Sequence, residues 1–275
     1  MIPDSIVLHN FKIEREDIKR KVIYHFSDVH LTEYDELSSE SEINKAKELT
    51  SAWEKVRRDF ALYSGEKCEE AQLISAKSHL QSLINASCDG DALVMTGDVI
   101  DFIGSANLRA VDSILTDFQK PFISVCGNHE DSNLIPDGII FSVTKRETQE
   151  IDLGDLIIIG IDNSKRKITK AQNDFLLNTL SKGKPIIVAM HIPIMTNGNE
   201  ALLKKGDEYF YLNNSHADEE TLRFIDILKE NSSQIVALLS GHLHFGNESE
   251  IISDLTQYVA SQGILGNLNR YEIGQ

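Results

Sequence analysis

Asp28 and His30 stand where an apolar, β-type run (Val22, Ile23, Phe26) gives way to polar sequence. In a strand, residues i and i+2 point to the same side, so a carboxylate and an imidazole project together at the strand exit. That donor pair suits a hard-to-borderline divalent cation. Alone, Asp-x-His reads equally well as a polar strand end. Similar donors return downstream, each time after an apolar run: Gly97-Asp98-Val99-Ile100-Asp101, Gly127-Asn128-His129-Glu130, His191-Ile192-Pro193 and Gly241-His242-Leu243-His244-Phe245-Gly246. Glycine beside a ligand residue lets the backbone turn tightly and lets a cation or phosphate come close. Five of the nine histidines fall in these motifs. His9 and His25 have no metal-type partner at i+2 or i+4 and read as structural or surface histidines.

The elements that must position these donors follow from the apolar pattern. Segments 5–13 and 21–27 read as strands. Short apolar strands follow at 92–96, 121–125, 156–161, 185–190 and 234–239, with helices at 171–182 and 217–231. Phe175, Leu176 and Leu180 form the inner face of the first helix, and Leu222, Ile225 and Leu228 that of the second. The tail, 251–275, alternates like edge strands. Strands alternating with helices predict an α/β fold, as one domain over 1–275. Residues 33–90 carry two helical stripes: Ala46, Leu49, Trp53, Val56, Phe60 and Tyr63, then Leu73, Ala76, Leu80, Leu83 and Ile84. They predict a helical hairpin insertion that serves as scaffold. The alternative is a wall of the site or a dimer contact. Segment 195–217 lacks periodicity, and such a long connection is often a binding loop. It holds Lys204 and Lys205, which could meet a phosphate, and Tyr209, Phe210 and Tyr211, which could stack on a base or aromatic leaving group, with Gly198 and Gly206 letting it move; the competing reading buries the aromatics in the core.

Composition excludes some classes. The chain has 275 residues and a formal net charge of -16, so a simple basic nucleic-acid-binding surface is not expected. Phosphate substrates are still allowed, because bound cations reverse the local charge. Cys68, Cys88 and Cys126 show no paired spacing, which argues against a disulfide framework. With no secretory-type N-terminus and no 18-residue apolar run, the expectation is a cytoplasmic protein without a membrane span.

The order Asp-x-His, Gly-Asp-x-x-Asp, Gly-Asn-His-Glu, His, Gly-His-x-His resembles the calcineurin-like metallophosphoesterase superfamily, over residues 23–246. The resemblance implies a four-layer fold: two packed mixed β-sheets flanked by helices, with metals at the strand ends. It implies one metal held by Asp28, His30, Asp98 and His244, and another by Asp98, Asn128, His191 and His242, with Asp98 bridging. A mixed nitrogen and oxygen donor set without thiolates suits Mn, Fe, Zn or Co, with Mn favoured. The implied reaction is in-line attack by a bridging hydroxide on a phosphate ester. His129 resembles the family's non-ligand histidine, which protonates the leaving oxygen or bonds the phosphoryl group. Asp101 is a candidate to orient it.

Departures from the pattern bear on substrate. The protein Ser/Thr phosphatase branch has arginines where this chain has Phe102 and Asp131. Such arginines clamp a phosphate dianion, so their replacement favours a phosphodiester, with a nucleotide-like leaving group one option. The alternatives are a small-molecule phosphomonoesterase and a metal-binding scaffold without turnover. Scaffold members generally lose ligands or the catalytic histidine, and this chain keeps them all.

Overall fold

The computed structural model describes residues 6–63, 75–203 and 208–275. Cys68, Leu73, Lys204, Lys205 and Gly206 lie outside these residues, as do the turn between the two inserted helices and the side chains of Phe60 and Tyr63.

The apolar runs become two mixed sheets. The first contains β1 (Val7–Ile13), β2 (Lys21–Phe26), β3 (Ala92–Met95), β4 (Phe122–Ser124) and the last strand, β11 (Asn267–Ile273), in the order β1-β11-β2-β3-β4. The second contains β5 (Thr148–Asp152), β6 (Ile157–Ile161), β7 (Ile186–Ala189), β8 (Ile235–Ser240), β9 (Asn247–Ile252) and β10 (Leu255–Val259), in the order β5-β6-β7-β8-β10-β9. β2, β3 and β4 run parallel, as do β6, β7 and β8. Loops after parallel strands leave from one edge of a sheet, the usual place for a ligand in α/β proteins.

The central strands read as unbroken apolar runs because both of their faces are covered. Ile23, Val94 and Ile123 of the first sheet share a core with Ile158, Ile187 and Ala237 of the second. The opposite face of the first sheet, with Phe26, Leu93 and Met95, packs on Leu80 and Leu83 of α2 (Ala76–Ala86) and Val111 and Leu115 of α3 (Ser105–Thr116). The second sheet packs Ile159, Val188 and Leu238 on Leu176 of α4 (Lys170–Leu180) and Phe224 and Leu228 of α6 (Glu219–Glu230). The expected four layers are therefore present.

Four local expectations are corrected. Apart from Ile251 and Ile252, which end the edge strand β9, the tail does not form edges: β10 lies between β8 and β9, and β11 between β1 and β2. β11 alternates because Arg270 and Glu272 are only half-buried while Leu268, Tyr271 and Ile273 face the cores. In α6 the inner face is Phe224, Ile225 and Leu228, and Leu222 is exposed. In α1 (Glu40–Tyr63) the inner residues include Ala46 and Arg57, while Val56 is 43% exposed. This helix faces a polar loop rather than an apolar core; Thr50 Oγ1 lies 2.8 Å from Thr32 Oγ1. Trp53 stacks on His30, so α1 lines the donor cluster.

The fourth correction concerns segment 195–217. It contains a short helix, α5 (Glu200–Leu203), and its base is pinned: Met195 N–H donates to Asn213 Oδ1 at 2.7 Å and Leu212 N–H to the Pro193 carbonyl at 2.8 Å. Tyr211 is buried with Leu203, Leu243 and Val259, whereas Tyr209 and Phe210 are exposed. Tyr211 is thus an anchor and not a substrate contact. Tyr211→Ala should cost about 3–5 kcal/mol, as for other buried aromatics, and Tyr209→Ala under about 1 kcal/mol; urea melts of the two variants check this.

Helix α1 is tied to α3 by one carboxylate. Ser39 and Glu42 form a capping box: Glu42 N–H donates to Ser39 Oγ, and Ser39 N–H and Oγ–H both donate to Glu42 Oε2 at 2.8 Å. The other oxygen, Oε1, accepts the Ser105 N–H at 2.7 Å, at a helix start whose Gly104 offers no side-chain cap. The Ser105 and Ser39 N–H groups hold the Glu42 carboxyl down at about 2. Glu42→Ala should therefore destabilise by about 1–2 kcal/mol at pH 7. A depressed carboxyl stabilises above its unfolded range, near 4.5, and loses that contribution as pH falls toward 2. The gap between wild type and variant in urea melts should accordingly be smaller at pH 3 than at pH 7.

Candidate metal centre

Loops leaving β2 and β3 run side by side beyond the strands. Asp28 N–H donates to the Gly97 carbonyl at 3.0 Å, His30 N–H to that of Asp98 at 2.9 Å, and Asp101 N–H to that of Leu31 at 3.0 Å. This pairing brings the first two motifs together. Gly241 N–H donates to the His191 carbonyl at 2.9 Å, joining the loops after β7 and β8. Two glycines are required by close approach. A Cβ at Gly127 would collide with the Asp98 carboxylate, and one at Gly241 would collide with Ser27 Oγ and come within 2.7 Å of Asp28 Oδ2.

Asp28, His30, Asp98, Asn128, His191, His242 and His244 all converge on this edge. His30 Nε2 and His244 Nε2 are 3.0 Å apart, and Asp28 Oδ1 is 3.3 Å from His244 Nε2 and 3.8 Å from His30 Nε2. Beside them, Asp98 Oδ2 is 3.3 Å from His191 Nε2 and 3.9 Å from His30 Nε2, and Asn128 Oδ1 is 3.0 Å from His191 Nε2. The groups Asp28–His30–His244 and Asp98–His191–His242 each bring three donor atoms within 4.8 Å of one another. Donor atoms about 2.0–2.2 Å from a shared cation stand roughly 3–4 Å from each other, which these separations match. Asp28 Oδ1 is buried and accepts no hydrogen bond, although Asp28 Oδ2 accepts the His242 N–H at 2.9 Å. Such a buried, unsatisfied carboxylate oxygen fits a cation. Asp98 lies between the two groups, as a bridging ligand must.

The backbone is bent to achieve this convergence. Among the described residues seven non-glycines have positive φ, and five of them are Asp28, His30, Asp98, His242 and His244. Left-handed backbone costs of order 1–3 kcal/mol per non-glycine residue and clusters at functional sites.

Hydrogen bonds set the imidazole orientations. His191 Nδ1–H donates to the Thr96 carbonyl at 2.6 Å, leaving Nε2 toward Asp98 and Asn128. His30 Nδ1–H donates to Asp101 Oδ1 at 2.8 Å, leaving Nε2 toward the cluster. His242 Nε2 lies 3.2 Å from the Tyr209 carbonyl. Asp101 Oδ1 also lies 2.8 Å from His129 Nδ1. The expected partner of His129 is thus equally the partner of His30, and one carboxylate orients both.

Charges are tuned accordingly. Burial opposes ionisation of Asp28 and Asp98. The His244 side chain nevertheless holds Asp28 down at about 2, and the His191 imidazolium holds Asp98 well below the usual carboxylate range. Burial pulls His129 down, but the Asp101 hydrogen bond and the Asp98 charge raise it to about 9. His25 is held near 3 by burial and sits between Thr96 Oγ1 and the Tyr271 hydroxyl, while His9 lies 2.9 Å from Asn267 Oδ1. Both are structural, as expected.

Three supporting residues had no role in the sequence reading. Glu130 Oε1 accepts the Val99 and Ile100 N–H groups and Oε2 that of Gly127, clamping the second motif to the third. Burial raises this carboxyl to about 7. Asn163 Oδ1 accepts the His191 and Ile192 N–H groups, both at 3.0 Å. Trp53 packs on His30 with ring centroids 4.0 Å apart. Glu130 and Asn163 were visible as polar residues at strand ends; Trp53 gave no local signal beyond an apolar stripe.

Among solved structures, a dimetal phosphatase from Danio rerio superposes with a TM-score of 0.58 at 10% identity, covering 89% of this chain and 88% of that one. At this identity the likeness is one of fold. TT1561 of Thermus thermophilus gives 0.49 at 11% identity over 90% and 91% of the two chains. Phosphopantetheinyl hydrolase from Mycobacterium tuberculosis gives 0.47 at 13% identity over 89% and 90%. A search of curated proteins gives no match. The model of the calcineurin-like phosphoesterase family matches residues 21–246, most of the chain and every motif of the site. The chain belongs to the calcineurin-like phosphoesterases, a family of metal-dependent phosphoric ester hydrolases.

Proposed function

We propose that this protein is a two-metal hydrolase of phosphodiesters, with Asp28, His30, Asp98 and His244 holding one cation and Asp98, Asn128, His191 and His242 the other. The observation that carries this reading is the convergence of six nitrogen- and oxygen-donor residues around Asp98, beside a histidine that is tied to Asp101 and 38% exposed in its side chain. When bound, the cations supply Lewis acidity at the phosphoryl oxygens and activate the attacking water. Manganese suits the donor set.

His129 supplies the proton. Its Nδ1–H is engaged by Asp101, so Nε2 is the atom that faces reactants. As the bond from phosphorus to the leaving oxygen breaks and that to the water oxygen forms, the water gives up a proton to solvent and His129 Nε2–H passes its own proton to the leaving oxygen. Bound cations would oppose the raised basicity of His129, and the Asp101 hydrogen bond would support it. His30 and His129 share that carboxylate, so the ligand and the acid are held in fixed relation.

A diester is favoured by what stands at the two arginine positions. Phe102 is buried, with Lys45 Nζ 5.0 Å above its ring, and Asp131 caps the following turn by accepting the Asn133 N–H at 3.0 Å. Neither offers a guanidinium to a phosphate dianion. Exposed Tyr209 and Phe210 border His242, with the Arg166 guanidinium 4.6 Å over the Tyr209 ring. An aromatic, nucleotide-sized leaving group suits that rim. A polyanionic strand does not suit a chain of net charge -16. Among the described residues no helix is long and apolar enough to cross a membrane.

With manganese present, a chromogenic phosphodiester should be hydrolysed faster than its monoester; the reverse order would make the protein a monoesterase. Asp98→Ala should abolish turnover and leave well under two metals per chain by elemental analysis, and full metal content would defeat the bridging role. His129→Asn should slow turnover by about 10²–10⁴ with metal content kept, measured by parallel kinetics and metal counting.

A further inference from the structure

The inserted helix α1 reaches the metal centre through one side chain. The Trp53 ring stacks on His30 at 4.0 Å between centroids and 29° between planes, and lies 5.3 Å from the His244 ring. Both partners belong to the Asp28 subsite. On the other side, His191 and His242 pair with each other at 4.9 Å, and His242 meets Phe210 at 5.7 Å. Behind the stack is a cavity of about 130 Å³ whose walls include His30, Thr32, Thr50, Trp53, Arg57 and Ile264. The other restraints on His30 are the Asp101 hydrogen bond and the edges of His129 and His244.

We propose that Trp53 is a positioning residue for the Asp28–His30–His244 subsite, making that cation the more tightly held of the two. The inference rests on the two-metal reading. A face-on indole fixes the imidazole plane with Nε2 aimed at the cation, and it keeps water off that side of the ligand. Groups that hold a metal-ligating histidine in place influence affinity through ligand orientation. The Asp98–His191–His242 subsite has no such cover from Trp53. The inserted helix therefore acts on metal retention, which separates its role from that of the substrate rim at Tyr209 and Phe210.

Trp53 is the single tryptophan of the chain, so it is also an intrinsic probe. The test uses the full chain stripped with a chelator and titrated with Mn²⁺ alone, with bound metal counted by equilibrium dialysis. Wild type should bind two ions. Trp53→Ala should weaken one of them by about 10–100-fold and leave the other unchanged, while Trp53→Phe, which keeps a stacked ring, should restore most of the affinity. In wild type, Mn²⁺ should quench tryptophan emission as the tighter ion binds; this measurement serves even if the alanine variant fails to fold. Unchanged affinities in Trp53→Ala, equal weakening of both ions, or emission indifferent to two bound ions would overturn the proposal. Fewer than two ions in wild type would instead refute the two-metal reading on which it stands.

Discussion

Two buried carboxylates, Asp28 and Asp98, govern this structure. Each is almost wholly inaccessible, and the two repel each other. Uncompensated, buried charge of this kind is strongly destabilising. Compensation comes from directed groups: the His242 N–H on Asp28, the His129 N–H on Asp98, and imidazoles aimed at both. Those donors lie on loops from both sheets, far apart in sequence, so the two-sheet arrangement is what lets them meet. The glycines at 127 and 241 follow from the same demand, since any side chain there would displace a carboxylate. So does the left-handed backbone at five of the ligand candidates, a cost met by the rigid strands on either side.

The site was legible in the sequence for a physical reason. Parallel strands deliver their last residues to one edge, so donors at strand ends in sequence become neighbours in space. Asp28, His30, Asp98, Asn128, His191, His242 and His244 all followed that rule. The strands β2, β3, β7 and β8 were legible because burial on both faces leaves unbroken apolar runs. β5 was not, since Thr148–Asp152 is a half-exposed polar edge paired only with β6. β11 misled because one of its faces stays half-exposed although it sits between two strands. Partners across the chain were hidden too. Nothing near Asn163 in sequence points to His191, and nothing near Glu42 points to the start of α3.

Helix α1 shows where periodicity stops being informative. Its apolar stripe assumed that an apolar face must meet an apolar core. The actual neighbour is the polar segment after His30, so Arg57 turns inward while Val56 turns out. A helix docked on a polar loop meets that loop's own groups. Here the requirements are a cap on α3, supplied by Glu42, and an aromatic face for His30, supplied by Trp53. Two short-range features with no common spacing cannot be read from a heptad pattern.

The same economy of partners bears on catalysis against mere metal binding. With the proposed ligand sets, a scaffold that only holds cations needs Asp101 to orient His30 and takes no ligand from His129. In this protein Asp101 Oδ1 stands at 2.8 Å from both rings, and the His129 backbone N–H also bonds the central carboxylate. His129 is thus held by its side chain and by its backbone, yet its side chain remains 38% exposed at the mouth of the site. Such immobilisation of an exposed ring is what the proposed proton transfer to a bound reactant requires. The second hydrogen bond of Asp101 is therefore the feature that most favours the proposed enzymatic reading over a metal-binding scaffold.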